Sequence, residues 1–280
     1  MKFSFLAAAI FFSLALQAQY YYKDIVGTKE SSELIKTYIS NKVSRVLLTS
    51  FDETNTKTED FYVEQQFSLK DRSLKTITRS GVTNESILTT YFDQTGNVIK
   101  TVDSTELMKS VSIYTYDPAG QLASVFSTSS DSSMRTTQTE EHIWRYSNGK
   151  VLSMLRIKNK VDTTYVSFVL DEKGNVIEEL ATRKGVKSEP VHYYYDDANR
   201  LTDVVRFNNK ARRLLPEYMF EYSASNQVIQ KITVPTNNSK YMIWRYQYNN
   251  QGLKVREAVY SKDDKRKPLG KIEYQYTFAS

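Results

Sequence analysis

The chain contains no cysteine, so disulfides, thiolate nucleophiles and cysteine metal ligands are all unavailable to it. It has only two histidines, His142 and His192, too few for a histidine-based zinc site. Glycine (9 residues) and proline (5) are scarce, which excludes collagen-like and low-complexity chains. After the first 18 residues there is no long apolar run, so the body offers no candidate spanning helix. Also missing are the G-x-S-x-G elbow, the G-x-x-x-x-G-K phosphate loop, H-E-x-x-H and the EF-hand loop. These absences predict a protein that is not an enzyme, with no cofactor and no metal. A glycosidase built on two dispersed carboxylates would leave no spacing signature, so a glycan-active enzyme stays as one alternative.

What is present begins with an export signal. Lys2 precedes FSFLAAAIFFSLAL (3–16), and Ala18 offers a small residue for cleavage, so residues 1–18 read as a signal peptide. Residues 19–60 read as an N-terminal helix and a lead-in strand, and 61–280 as a β-hairpin repeat domain. In TKESSELIKTYISNK (28–42), Leu34, Ile35, Tyr38 and Ile39 share one helical face, and Thr28 and Ser31 are candidate caps.

From about residue 90 the chain repeats. The best copies are YFDQTGNVIKTV (91–102), YTYDPAGQLASV (114–125), FVLDEKGNVIEEL (168–180), YYYDDANRLTDVV (193–205), FEYSASNQVIQKI (220–232) and YQYNNQGLKV (246–255). An anchor residue precedes each turn, at Phe92, Tyr116, Tyr146, Leu170, Tyr195, Tyr222, Tyr248 and Tyr276, spaced 24 to 30 residues apart. Asp, Asn or Ser opens the turn, and three residues later comes Gly or Asn. That chemistry predicts a type I turn followed by a left-handed residue, which joins antiparallel strands. In a shorter copy, WRYSNGKVLSML (144–155), Asn148–Gly149 predicts a tighter hairpin.

Strand side chains alternate, so each Y-x-Y pair points to one face. The resulting ladder comprises Tyr114, Tyr116, Trp144, Tyr146, Tyr193, Tyr195, Tyr222, Trp244, Tyr246, Tyr248, Tyr274 and Tyr276. As a core stripe it stabilises the sheet; as an exposed face it would stack on sugar rings. The only two tryptophans, Trp144 and Trp244, both lie in the tetrapeptide IWRY (143–146 and 243–246), which reads as one anchor strand used twice, Trp and Tyr on the ladder face and Arg on the other. The fold expected is therefore all-β: an antiparallel hairpin-repeat meander of about 15 or more strands, curled or partly closed, with one short N-terminal helix.

YTYDPAGQLASV, YYYDDANRLTDV and YFDQTGNVIKTV resemble the YD repeats of the RHS family, whose pattern is Y-x-Y-D-x-x-G-x-L. The resemblance covers residues 90–278 as a short, degenerate array: Ser223 and Asn249 replace Asp, and Asn199 and Asn226 replace Gly. It implies long hairpin sheets that curl into a shell around a toxin, and a carbohydrate-binding role. YFDQTGNVI is also similar to repeats that bind choline or polysaccharide at bacterial surfaces, without their Gly-Trp start.

The functional expectation is an exported protein of the periplasm, cell surface or medium. It would be a non-catalytic binding or structural module for a polysaccharide or a surface protein. The other alternative is an outer-membrane β-barrel. From residue 200 onward there are 15 Lys and Arg against 7 Asp and Glu. They are dispersed except at KDDKRK (262–267), which suits a solvated strand face, and no nucleic-acid partner is expected.

Overall fold

The computed structural model describes residues 20–81, 83–235 and 241–279. The signal expected over 1–18 lies outside the described residues. One helix, α1 (Lys23–Ser40), is followed by nineteen strands among the described residues. They are β1 (Val43–Asp52), β2 (Phe61–Ser68), β3 (Ser73–Ser80), β4 (Thr83–Phe92), β5 (Val98–Ser104), β6 (Met108–Tyr116), β7 (Leu122–Asp131), β8 (Thr136–Ser147), β9 (Lys150–Lys158), β10 (Asp162–Leu170), β11 (Val176–Arg183), β12 (Val186–Lys187), β13 (Val191–Tyr195), β14 (Leu201–Asn208), β15 (Arg213–Tyr222), β16 (Val228–Thr233), β17 (Met242–Tyr248), β18 (Lys254–Ser261) and β19 (Gly270–Phe278).

Each strand pairs antiparallel with the next, except that β13 pairs with β11 in place of β12, and β1 pairs with both β2 and β19. The sheet therefore closes into a barrel. The two-residue β12 and β13 both pair with β11, so together they make one broken stave, and the wall has eighteen. Pro190 lies in the break, where it has no N–H to give the ladder. The lead-in strand β1 thus completes the wall.

The turn chemistry of the repeat is realised at one end of the barrel, here the lower end. Gly96, Gly120, Gly174 and Gly252 have φ of 77–89°, and Asn199 and Asn226 have φ of 60° and 64°. The opening side chain ties the turn down: Asp117 Oδ1 accepts from Ala119 N and Gln121 N at 2.9 and 2.8 Å. Asp196 and Asn249 do the same. The register also shifts at seven anchors, Phe92 to Tyr248, where the following strand carries one extra residue as a β-bulge.

The helix is longer than the residues 28–42 suggest. It begins at Lys23, so Thr28 and Ser31 lie inside it and cap nothing; its N-cap residue, Tyr22, has no side-chain cap. Ser32, Ile35 and Tyr38 are its buried residues, and Leu34 points to solvent at 41% exposure. The chain then turns at Asn41–Lys42 and enters β1.

Candidate functional site

An eighteen-strand wall is wide enough to enclose an aqueous channel. Here the lumen holds α1 and the residues leading into it. Tyr38 Oη donates to Gln65 Oε1 on β2 at 2.8 Å. Val98 N on β5 donates to Ser32 Oγ at 3.1 Å. Tyr22 meets the Phe168 ring on β10 at 6.3 Å and the Tyr193 ring on β13 at 5.4 Å. Tyr20 meets Tyr218 on β15 at 6.0 Å, and Tyr38 meets Tyr276 on β19 at 6.1 Å. Three apolar clusters result. Ile35 and Tyr38 join β1–β5, Tyr21 and Ile25 join β6–β10, and Tyr20, Tyr22 and Val26 join β10–β15.

All twelve ladder residues face this lumen by alternation and register. Trp144 and Tyr193 are buried at 4% and 2% exposure, and the other ten are half-buried. Trp144 stacks on Phe168 at 5.4 Å, and Arg145 and Arg245 point outward. The ladder is thus an inner lining, packed with the chain's own N-terminal segment at Tyr114, Tyr116, Trp144, Tyr146, Tyr193, Tyr195, Tyr274 and Tyr276.

Its tyrosines have a second task that spacing alone does not reveal. Tyr116 Oη donates to Val98 O at 2.6 Å, Tyr146 to Leu122 O at 2.9 Å, and Tyr195 to Val176 O at 2.9 Å. Tyr222 donates to Leu201 O, Tyr248 to Val228 O, and Tyr276 to Lys254 O, at 2.7, 3.0 and 2.7 Å. In every case the acceptor lies two residues past the Gly or Asn of an earlier turn. Each anchor therefore staples its repeat to the one before. The sequence signal was there: the aromatic before the turn is Tyr, with a hydroxyl, in six of eight copies.

Two charged groups fasten the start of the helix. Glu179 on β11 accepts from Tyr21 N at 2.9 Å and Tyr22 N at 2.8 Å, and from Tyr193 Oη at 2.8 Å. A carboxylate from the wall thus does what a local cap would do, at the end of the helix that favours negative charge. On β8, His142 bridges Asp24 Oδ2 (2.5 Å) and Glu140 Oε1 (3.0 Å), and Arg156 on β9 holds Glu140 Oε2 at 2.7 Å. Burial works to depress the imidazole, but the hydrogen bonds to Asp24 and Glu140 outweigh it and raise it to about 9. Burial works to raise Glu140, but its bonds to His142 and Arg156 bring it down to about 2. His192 faces outward, 3.6 Å from Glu178. Asp24 and Glu179 were not singled out by sequence, because nothing local marks a residue whose partner lies more than a hundred positions away.

The helix stands off from β16–β18. Its residues Lys29, Glu30, Ser31, Glu33 and Leu34 are exposed. Glu30 is reached by solvent yet walled in: burial pushes its carboxyl up, while Lys231 and Lys254 pull it down. Burial lowers Lys231. Lys254 lies over the Tyr246 ring at 4.6 Å and 3.2 Å from Glu257. This side of the lumen is polar and open, with Tyr222, Tyr246 and Tyr248 half-exposed on it. Among the described residues no group of three or more His, Asp or Glu is arranged to hold a metal ion.

The outer wall is mixed. Arg45 pairs with Glu64 at 2.7 Å, Arg256 lies opposite Glu273, and Lys271 covers Phe51 at 4.5 Å. Between these charges are exposed or half-exposed apolar residues such as Ile113, Tyr165, Phe207 and Met219.

No protein-family model matches the chain, and no curated protein matches it. Solved structures do. A porin-like protein from Bacteroides uniformis ATCC 8492 is 7% identical over 85% of this chain and 97% of its own, with a TM-score of 0.42. A porin-like protein from Bacteroides vulgatus ATCC 8482 is 12% identical over 84% of this chain and 98% of its own, with a TM-score of 0.25. A chain of the TcdB2-TccC3-Cdc42 crystal structure is 14% identical over 78% of this chain, with a TM-score of 0.33. This chain spans 12% of that one's length. At these scores the likenesses are of general outline.

Proposed function

We propose that the protein is an exported β-barrel of the cell envelope whose lumen is partly filled by its own N-terminal segment, and that it is non-catalytic. The observation that carries this reading is the placement of α1, which contacts strands from β2 round to β19 and fills the lumen of the barrel against β1–β15. The architecture is that of the outer-membrane alternative rather than of an open binding sheet. The RHS resemblance supports the same picture of a shell around a polypeptide, the enclosed polypeptide here being residues 20–40.

Closure itself supports a seat in the outer membrane, since a closed wall leaves no unpaired edge. The chemistry of the wall supports a barrel standing in water. A lipid-facing Lys or Arg near the bilayer centre costs roughly 2–4 kcal/mol, and a spanning wall needs an apolar band about 25 Å tall. Arg45, Lys75, Lys100, Arg145, Arg245, Arg256 and Lys271 all point outward from the strands by register. We therefore read the wall as facing water.

Fractionation of the producing cell tests this. Recovery in an aqueous periplasmic or medium fraction without detergent is expected, as is the absence of conductance in planar bilayers. Recovery only with detergent, together with single-channel conductance, would overturn the reading in favour of a membrane pore.

A further inference from the structure

At the upper end of the barrel a cavity of about 590 Å³ opens inside the wall, lined by Tyr21, Arg156, Thr164, Ala181, Val186, Ser188 and the basic run Arg183, Lys184 and Lys187. Its size is within the range of small-molecule sites. It lies away from the aromatic ladder and from the polar side of the lumen.

Its lining contains four cationic side chains and no carboxylate. Two of the four are already oriented. Arg156 is held by Glu140 at 2.7 Å and Arg183 by Asp162 at 2.8 Å, and both carboxylates approach from outside the lining. Lys184 and Lys187 flank the tip of the β11–β12 hairpin, where Lys184 (φ 50°) and Gly185 (φ 79°) form the turn. That turn places two ammonium groups over one mouth. Opposite them on β10 is Thr164, 3% exposed, whose hydroxyl is buried beneath the lining. The rest of the lining is the Tyr21 ring, Val186 and Ala181, a flat apolar side that suits a sugar ring.

We propose that this cavity binds a small ligand carrying an oxyanion, a phosphate or carboxylate on a sugar, with the anion on Arg183, Lys184 and Lys187. Arginine forks and lysine ammonium groups are the side chains that recognise such oxygens, through charge-assisted bonds. The reading of the barrel as aqueous or membrane-borne does not enter, because the cavity is at the rim in either setting.

The purified mature protein would be titrated calorimetrically with inorganic phosphate, glucose 6-phosphate, glucuronate and glucose at low salt. Saturable one-to-one binding of the anionic ligands and none of glucose is expected, weakening as salt is raised. Tighter binding of the sugar phosphate than of phosphate would support the ring contact, and equal binding would support a site for the free oxyanion. The Lys184→Ala/Lys187→Ala variant, changed only at an exposed hairpin, is expected to bind at least about tenfold more weakly. Lys265→Ala/Lys267→Ala, in the other exposed basic cluster, should leave binding unchanged. No saturable binding of any anion would overturn the proposal, as would equal weakening by the two double-lysine variants.

Discussion

The two ends of the barrel are built on different principles. The lower end is repetitive: six tyrosine hydroxyls staple six repeats, and six turns reuse the bond from the opening side chain to the backbone N four residues on. The upper end is singular. One glutamate holds the start of the helix, one histidine latches it, and one cavity opens beside it. Redundancy at one end means that no single contact is indispensable there. At the other end each contact has no substitute, so the same kind of substitution should have a much larger effect.

The largest effect is expected for Glu179→Ala, which leaves two backbone N–H groups and the Tyr193 hydroxyl without their acceptor in a buried setting. Urea unfolding followed by tryptophan fluorescence should show a loss of about 3–5 kcal/mol, with Glu179→Gln losing less. A loss no greater than that of a single staple would erase the contrast between the ends.

Next comes the latch, read through pH. His142 is raised from 6.5 to about 9 in the folded chain, so its stabilisation is fully present below about pH 6.5 and is lost as pH rises through 9. The groups facing it are Asp24 and the Tyr21 ring from the plug and Glu140 from the wall, with Arg156 behind Glu140. Wild type should lose about 3 kcal/mol more than His142→Gln between pH 6 and pH 10. Parallel pH profiles for the two proteins would show that the imidazole is not the latch.

At the lower end the effects shrink. Gly120 has φ of 79° and nothing within 4 Å of where a Cβ would go, so Gly120→Ala tests the backbone alone and should destabilise by about 1 kcal/mol. Smallest is the single staple: Tyr146→Phe removes one hydroxyl bond and should cost about 1 kcal/mol or less, measured as a small shift in the urea midpoint. The outward Tyr194→Phe, its control on the same kind of strand, should be neutral. A staple loss several times larger would mean that the repeats depend on one another and do not act as independent copies.

How much of this was legible in the sequence differs between the ends in the same way. Local rules cover the turns, since Asp117 bonds to backbone only two and four residues on, and Gly120 is required by its own φ. The face shared by Trp144 and Tyr146 follows from alternation. The helix start was misplaced because its cap comes from Glu179, some 157 residues away. Leu34 was assigned to the packed face because a 3.6 period cannot tell which side of a helix meets a wall and which meets open lumen.

The sequence alone determined the strand-turn-strand unit, its turn type, its anchor residues and the direction each anchor points, because all of these are set by atoms within about a dozen positions of one another. Only the tertiary structure decided that the meander closes, since closure rests on the pairing of β1 with β19 across more than two hundred residues. Once it closed, the inner face of the ladder became a lumen lining. A lumen that wide has room for more than side chains, and it holds the chain's own aromatic Tyr20–Tyr22 and the helix behind it.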